Sequence, residues 1–488
     1  MVQNEHFLNV ADSLKPSLIE KNVMPLDMER HRQQVLSKGD TLRLDFGNHI
    51  VGKVTLKFGF TGSHPDAPAW IRLQFAEREC ELLENAETYR GWISMGWIQQ
   101  EQLHIDVLPS RIALPRRYAF RYLQIEVLDV SSKYQLKLED VTCVATTSAD
   151  DAKLHPYLGT ERLARLDQIA CHTLRECMQD VFEDGPKRDR RLWMGDLRMQ
   201  ALANYETFQN YDLVKRCLYL FAGTMMDGGR IGACLFTEPK IEVDDTVMFD
   251  YSLFYIPTLL DYYKATGDME TLQELAPTAL HQLDVVRPYF GENHLVKDSN
   301  VLGWCFVDWN LGLNKQASAQ GIYLYCLKAA IEMAGILGMD TAELEWDLTK
   351  KKEAAELLWN GSFYVSGENQ QISWASQVWM TLGGAIHGNG ELLERLEQTS
   401  AEAMVTPYMY HNYIDALLSV GQKEKALQIL NAYWGGMIDD GADTFWELYN
   451  PVNSNESPYG GTIVNSYCHA WSCAPAYFLR KFFSAKTQ

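Results

Sequence analysis

The hydrophobic period of this chain changes once, and that change limits what it can fold into. From about Thr41 to Thr146 the runs TLRLDF, VGKVTLKF, AWIRLQF, EQLHIDV, RYLQIEV and YQLKLEDV alternate apolar with polar residues, as strands with one buried face must. After Thr147–Tyr157 (TSADDAKLHPY) the spacing becomes three and four. Leu163, Leu166, Ile169, Ala170, Leu174 and Cys177 then fall on one helical stripe. Strands followed by helices predict an N-terminal antiparallel β-sandwich over residues 1–150 and a helical domain over 151–488.

Helical candidates start near Thr160, Gly195, Tyr211, Val247, Asp268, Asn314, Thr341, Ser373, Asn389, Tyr408, Lys423 and Thr462, about twelve in all. Antiparallel helices joined alternately by short and long connections imply six hairpins closed into an (α/α)6 barrel. The long loops Gly228–Asp245, Asn293–Asn314 and Asp439–Gly461 would gather at one end and frame a pocket, where chemistry is expected. Glu77–Ile98, with Tyr89, Trp92 and Trp97, is too long for a tight hairpin loop. We expect it to pack on its own sandwich in preference to reaching over the second domain.

With Lys+Arg 44 against Asp+Glu 64, the net charge is −20, spread along the chain, so nucleic acid and anionic membrane are disfavoured as partners. A small glycoside or oligosaccharide fits better; a homodimer is compatible with the sequence. No apolar run is long enough to span a bilayer and no apolar stretch follows a basic start, so the expected location is cytoplasmic. The 10 cysteines lie apart without CxxC pairs and read as reduced core residues. Cys468, His469 and Cys473 lack the usual zinc-ligand spacing, so no metal and no cofactor is expected.

Glu183–Asp196 (EDGPKRDRRLWMGD) is the richest stretch: Asp184, Asp189 and Asp196 alternate with Lys187, Arg188, Arg190 and Arg191, with Trp193 among them. Gly185 and Pro186 break any helix there, which puts these carboxylates on a loop leading into a helix start. A sugar-binding acid site and a solvated loop of ion pairs are equally compatible with that segment alone. GWCFVDWN places Asp308 between Trp304 and Trp309, suited to gripping a hydroxyl while stacking a ring; as pure structure Asp308 would cap the next helix. GADTFWELYNP places Glu447 behind Phe445 and Trp446, where partial desolvation can tune a carboxyl for acid or base work.

These segments resemble glycoside hydrolase family 78, the bacterial α-L-rhamnosidases. The family loop DCPxRxERLGWxGD is matched by DGPKRDRRLWMGD, and further likenesses are GADTFWELYNP, DYSLFYIPTLLDYYKATGD, GWCFVDW, TPYMYHNYIDAL and CHAWSCAPAYFL, together with LDFGNHIVGKVTLKF and PRRYAFRYLQIEV in the sandwich. The resemblance implies the same two-domain fold and inverting hydrolysis of a terminal α-L-rhamnoside. It assigns substrate binding to Asp184, Arg188, Trp193 and Asp196, the general acid to Asp189 and the general base to Glu447. Asp308, Trp309 and His469 match positions lining the family's sugar pocket, and Trp446 beside the base is taken as a further binding residue.

Inversion needs an acid and a base about 6.5–9.5 Å apart with a water between base and sugar. Asp184 and Asp196, as neighbouring negative charges, would keep Asp189 protonated, with Arg188 moderating their field. The chain departs from the family at three places: Asp189 replaces Glu, Gly185 replaces Cys, and no glycine precedes Trp193. Many family members also carry further β-domains, including one after the barrel, whereas this chain stops soon after its last helix. Those departures leave open a six-hairpin glycosidase for a glucuronyl or mannosyl unit, or a non-catalytic sugar-binding homologue. Glu447 in its aromatic setting argues against a phosphorylase, which would use phosphate in place of base-activated water.

Overall fold

Alternating apolar residues build a six-stranded antiparallel sheet in the computed structural model, which describes residues 2–299 and 303–484. Its strands are β1 (Ile19–Val23), β2 (Thr41–Gly62), β3 (Ala69–Ala76), β4 (Gln100–Ile105), β5 (Ser110–Asp129) and β6 (Tyr134–Thr147), in the order β1-β6-β2-β5-β3-β4. TLRLDF and VGKVTLKF are thus one strand, β2, with its register broken between Asp45 and Ile50. Its first half pairs β5 alone (Leu44 with Leu123), whereas its second half pairs both β5 and β6 (Leu56 with Ile112 and Val141). Inward residues of both halves, among them Leu44, Leu56, Phe58, Leu123 and Leu138, share one core. The sandwich is therefore a single sheet closed over its own hydrophobic residues.

Among the described residues the second part of the chain forms twelve α-helices: α1 (Glu161–Cys177), α2 (Met194–Glu206), α3 (Tyr211–Gly223), α4 (Phe249–Thr266), α5 (Met269–Val285), α6 (Gln316–Ile336), α7 (Ala342–Ala355), α8 (Trp374–Gly383), α9 (Gly390–Leu396), α10 (Pro407–Ser419), α11 (Lys423–Asp439) and α12 (Ala474–Phe478). Side-chain caps start several of them where the sequence offers Ser, Thr or Asn: Thr160 for α1, Asn210 for α3 and Thr406 for α10. The even-numbered helices make an inner ring. α2 packs on α4, α4 on α6, α6 on α8 and α8 on α10, and α12 returns to α2. Every residue of α8 after Trp374 is buried, while α7 in the outer layer buries only Lys351, Ala354 and Ala355, as expected of helices that are apolar all round or on one edge.

Two features differ from the sequence expectation. Thr462–Val464 is only a single 3-10 turn, and the last helix begins at Ala474. Between them the chain pairs with the Phe445–Glu447 segment, His469 N donating to Phe445 O and Glu447 N to Ser466 O, which diverts its backbone hydrogen bonds from a helix. The chain's first residues lie on the helical part: Val2–Gln3 pairs with Thr224–Met225 and the helix Glu5–Ser13 packs against α3. No described helix is long and apolar enough to cross a membrane.

Candidate active site

The acidic loop between α1 and α2 is held by one of its own carboxylates. Asp184 accepts hydrogen bonds from Asp189 N and Arg191 N, both at 3.1 Å, and Arg190 N donates to Gly185 O. A Cβ at Gly185 would lie 2.5 Å from Arg188 O and 2.7 Å from Ser466 Oγ, so this tight fold of the loop accepts glycine where the family pattern has cysteine. The sandwich fastens the loop from outside. Buried Lys187 reaches Glu81 at 2.5 Å and Asn465 O at 2.6 Å, and Arg117 of β5 grips Glu183 through both carboxylate oxygens.

The loop opens into a cavity of about 230 Å³. Asp184, Asp196, Tyr251, Glu447, His469 and Trp471 form its buried part, with Asp189 less enclosed. Arg188 lies at the centre. Its Nη2 donates to Glu447, its Nη1 is 3.8 Å from Asp189 Oδ1, its Nε donates to Val464 O, and its plane lies 4.1 Å from the centre of the Tyr459 ring. Tyr459 in turn donates its hydroxyl to Glu447.

Burial dominates the electrostatics. Burial, with the charge of Asp189 added, pushes Asp184 up to about 8, and burial with the charges of Asp184 and Glu447 holds Asp196 well above the carboxylate range. Asp189 is raised too, by burial first; Arg188 and Arg191 oppose the shift, while Glu447 and Asp244 add to it. Asp189 thus interacts electrostatically with Asp184 and Asp196, as expected, and Glu447 and Asp244 add charges that the sequence did not point to. His469 is pushed well below its usual range by burial and by Arg188, so it stays neutral.

Among the described residues, four buried polar atoms on this cavity have no hydrogen-bond partner: Trp193 Nε1, Trp309 Nε1, Asp196 Oδ1 and His469 Nδ1. Asp196 and His469 are 3.7 Å apart at those atoms, too far for a good hydrogen bond to each other. Donors and acceptors left open side by side suit a ligand rich in hydroxyl groups.

Asp184, Arg188, Asp189, Trp193, Asp196, Trp309, Glu447 and His469 thus come together from distant parts of the sequence. Asp308 does not join them. Its carboxylate accepts from Val405 N, Thr406 Oγ1 and Trp309 N, so it ties the start of α10 to the loop and is not among the residues lining the cavity. Trp446 is buried beneath the Arg78 guanidinium, 4.2 Å from the ring centre, and lines the contact with the sandwich instead. Residues 300–302 of the Asn293–Asn314 loop lie outside the described residues.

Several lining residues carry no sequence signal of their own. Asp244, Thr246 and Met248 come from the end of the Gly228–Asp245 loop and just beyond it, and Tyr459 from Asp439–Gly461. Phe306 is presented by a turn that Asp250 pins, accepting from Phe306 N and Val307 N, with Val307 held at φ 58°. Trp92 and Ile93 also line the cavity, so the Glu77–Ile98 segment reaches across to the helical domain, contrary to our expectation. A larger cleft of about 880 Å³ between sandwich and α1 is lined by His49, His172 and Glu176 but by none of the expected site residues.

Six helical hairpins around a pocket of carboxylates and indoles, behind a β-domain that anchors the acidic loop, define a glycosidase of the six-hairpin type. Residues 12–145 match the glycosyl hydrolase family 78 alpha-rhamnosidase N-terminal domain, and residues 159–482 match the bacterial alpha-L-rhamnosidase 6 hairpin glycosidase domain. A rhamnosidase from Klebsiella oxytoca, solved with rhamnose bound, is 42% identical over 98% of this chain and 99% of its own, with a TM-score of 0.94. The chain belongs to glycoside hydrolase family 78. The fold is shared with the family 78 rhamnosidase of Bacillus sp. GL1 (23% identity, TM-score 0.75, covering 91% of this chain and 47% of that one) and with the Streptomyces avermitilis α-L-rhamnosidase complexed with L-rhamnose (17%, 0.68, 96% and 44%). No curated protein matches the chain.

Proposed function

We propose that this glycosidase removes a terminal α-L-rhamnosyl unit with inversion, using Asp189 as general acid and Glu447 as general base. The observation that carries the assignment is the unequal setting of the two carboxyls around Arg188. Asp189 is raised by burial and by the charges of Glu447 and Asp244, which favours a proton ready for the leaving oxygen. Glu447 is charge-paired with Arg188 and receives the Tyr459 hydroxyl, which suits a carboxylate that orients and deprotonates water. Asp196, His469 and Trp193, with their open polar atoms, would hold the ring hydroxyls.

Rhamnose as the sugar rests on the likeness to the Klebsiella oxytoca enzyme, solved with rhamnose bound. We read residues 1–150 as an accessory domain and 151–488 as the catalytic domain. A panel of p-nitrophenyl glycosides tests the proposal: the α-L-rhamnoside is expected to be cleaved in preference to mannoside and glucuronide, and proton NMR should show β-L-rhamnose as the first-formed anomer. Retention of the α-anomer would refute the mechanism. Thermal stabilisation by L-rhamnose without turnover of any glycoside would favour a sugar-binding homologue instead.

A further inference from the structure

The cavity has a buried inner end, formed by Asp196, His469 and Trp471, so a terminal sugar seated there must direct its leaving group toward the mouth. At that mouth stands Trp92, whose side chain comes from the sandwich and is 66% exposed. An exposed indole is ordinarily a loose surface residue. This one is fixed.

Its Nε1 donates to Pro458 O at 2.9 Å, Tyr89 in the same segment donates to Tyr459 O at 2.8 Å, and Glu84 accepts from Thr462 N and Thr462 Oγ1. The backbone at Gly91 is so close to the barrel loop that a Cβ there would fall 1.7 Å from Tyr459 O. The Trp92 ring lies 5.4 Å from Tyr459 and 6.5 Å from Trp309, tilted to both, and Trp309 has its buried Nε1 unpartnered beside it. Other part-buried residues of the lining include Arg191, Asp244 and Thr246, which are polar, and Ile93 and Met248, which are apolar.

We propose that Trp92 is the platform of a leaving-group subsite, which receives the flat face of the aglycone while Trp309 Nε1 donates to one of its oxygens. The ligand class is a planar group attached to the rhamnosyl oxygen: an aromatic ring, or the apolar face of a second sugar. This rests on the rhamnosidase reading above. It makes the sandwich part of the substrate site, so the accessory domain contributes selectivity as well as support.

The test compares the wild type with Trp92→Ala and Trp92→Phe on methyl, 2-naphthyl and β-glucosyl α-L-rhamnosides. Each variant-to-wild-type ratio is taken on one substrate, so differences in leaving-group chemistry cancel. Trp92→Ala is expected to lower kcat/KM on the naphthyl glycoside about two- to tenfold more than on the methyl glycoside, through KM, and Trp92→Phe to keep most of it. A selective loss on the naphthyl glycoside alone assigns the platform to aromatic aglycones, and a loss on the disaccharide as well extends it to sugars. Equal losses on all three, or none on any, would overturn the platform. A wild type that cleaves none of them would instead overturn the rhamnosidase reading, and the platform with it.

Discussion

Arg188 donates to Glu447 across a gap of more than 250 residues in sequence, and the same guanidinium stands 3.8 Å from Asp189. One planar cation thus fixes the proposed base and faces the proposed acid. Arg188→Met is expected to lower kcat on an aryl rhamnoside about a hundredfold or more, and to destabilise the fold by about 3–5 kcal/mol because Glu447 is left buried without its counter-charge. Arg188→Lys should restore only part of either, since an ammonium cannot serve Glu447 and Val464 O together as a fork does. Steady-state kinetics and urea denaturation read the two effects separately.

Lys187 is one of the links between the sandwich and the acidic loop. It is buried between Glu81 at 2.5 Å and Glu77 at 3.6 Å, and Glu77 also bonds His49 and Tyr467 N. Lys187→Met would leave two buried carboxylates facing each other, at an expected cost of about 3–5 kcal/mol. Glu81→Gln placed on top of Lys187→Met should recover part of that loss, which a double-mutant cycle of denaturation midpoints would detect. Independent, additive effects would show that the pair does not couple the two domains.

Asp196 gives the protein a pH dependence of definite sign. Its folded carboxyl is raised well above the unfolded value of about 4, so the folded state binds the extra proton. Stability is then greatest below the unfolded value and declines as pH rises toward the folded one. Asp184, raised to about 8, acts in the same direction. Asp196→Asn is expected to flatten the decline between pH 5 and 8, making the variant about 1–3 kcal/mol more stable than wild type at the upper end. It should also abolish stabilisation by L-rhamnose. Thermal melting at both pH values, with and without the sugar, measures both.

The helical domain was legible because its inner helices are strongly apolar and its periodicity is regular, and helix starts read from the sequence fall within a few residues of most observed ones. The exception near Thr462 arises where loop-to-loop backbone pairing replaces helical bonding. Asp308 and Trp446 look like site residues in sequence because an acid or indole beside aromatics has the same local signature whichever way it points. Their direction is set by Thr406 and Arg78, which sequence proximity does not connect to them. Tyr459 went unnoticed, and Trp92 was expected to stay on its own sandwich, for the converse reason: each lies in a loop with no motif and gains its place at the cavity only from long-range packing.

The acid and base assignments meet their most direct test in leaving-group dependence. Asp189→Asn and Glu447→Gln are to be compared on p-nitrophenyl and methyl α-L-rhamnosides, with folding checked by melting. Asp189→Asn is expected to lose about 10²–10⁴-fold in kcat on the methyl glycoside, where the departing oxygen needs a proton, and much less on p-nitrophenyl. Glu447→Gln is expected to lose comparably on both. Equal losses for Asp189→Asn on the two substrates, or full activity in either variant, would contradict the assignment.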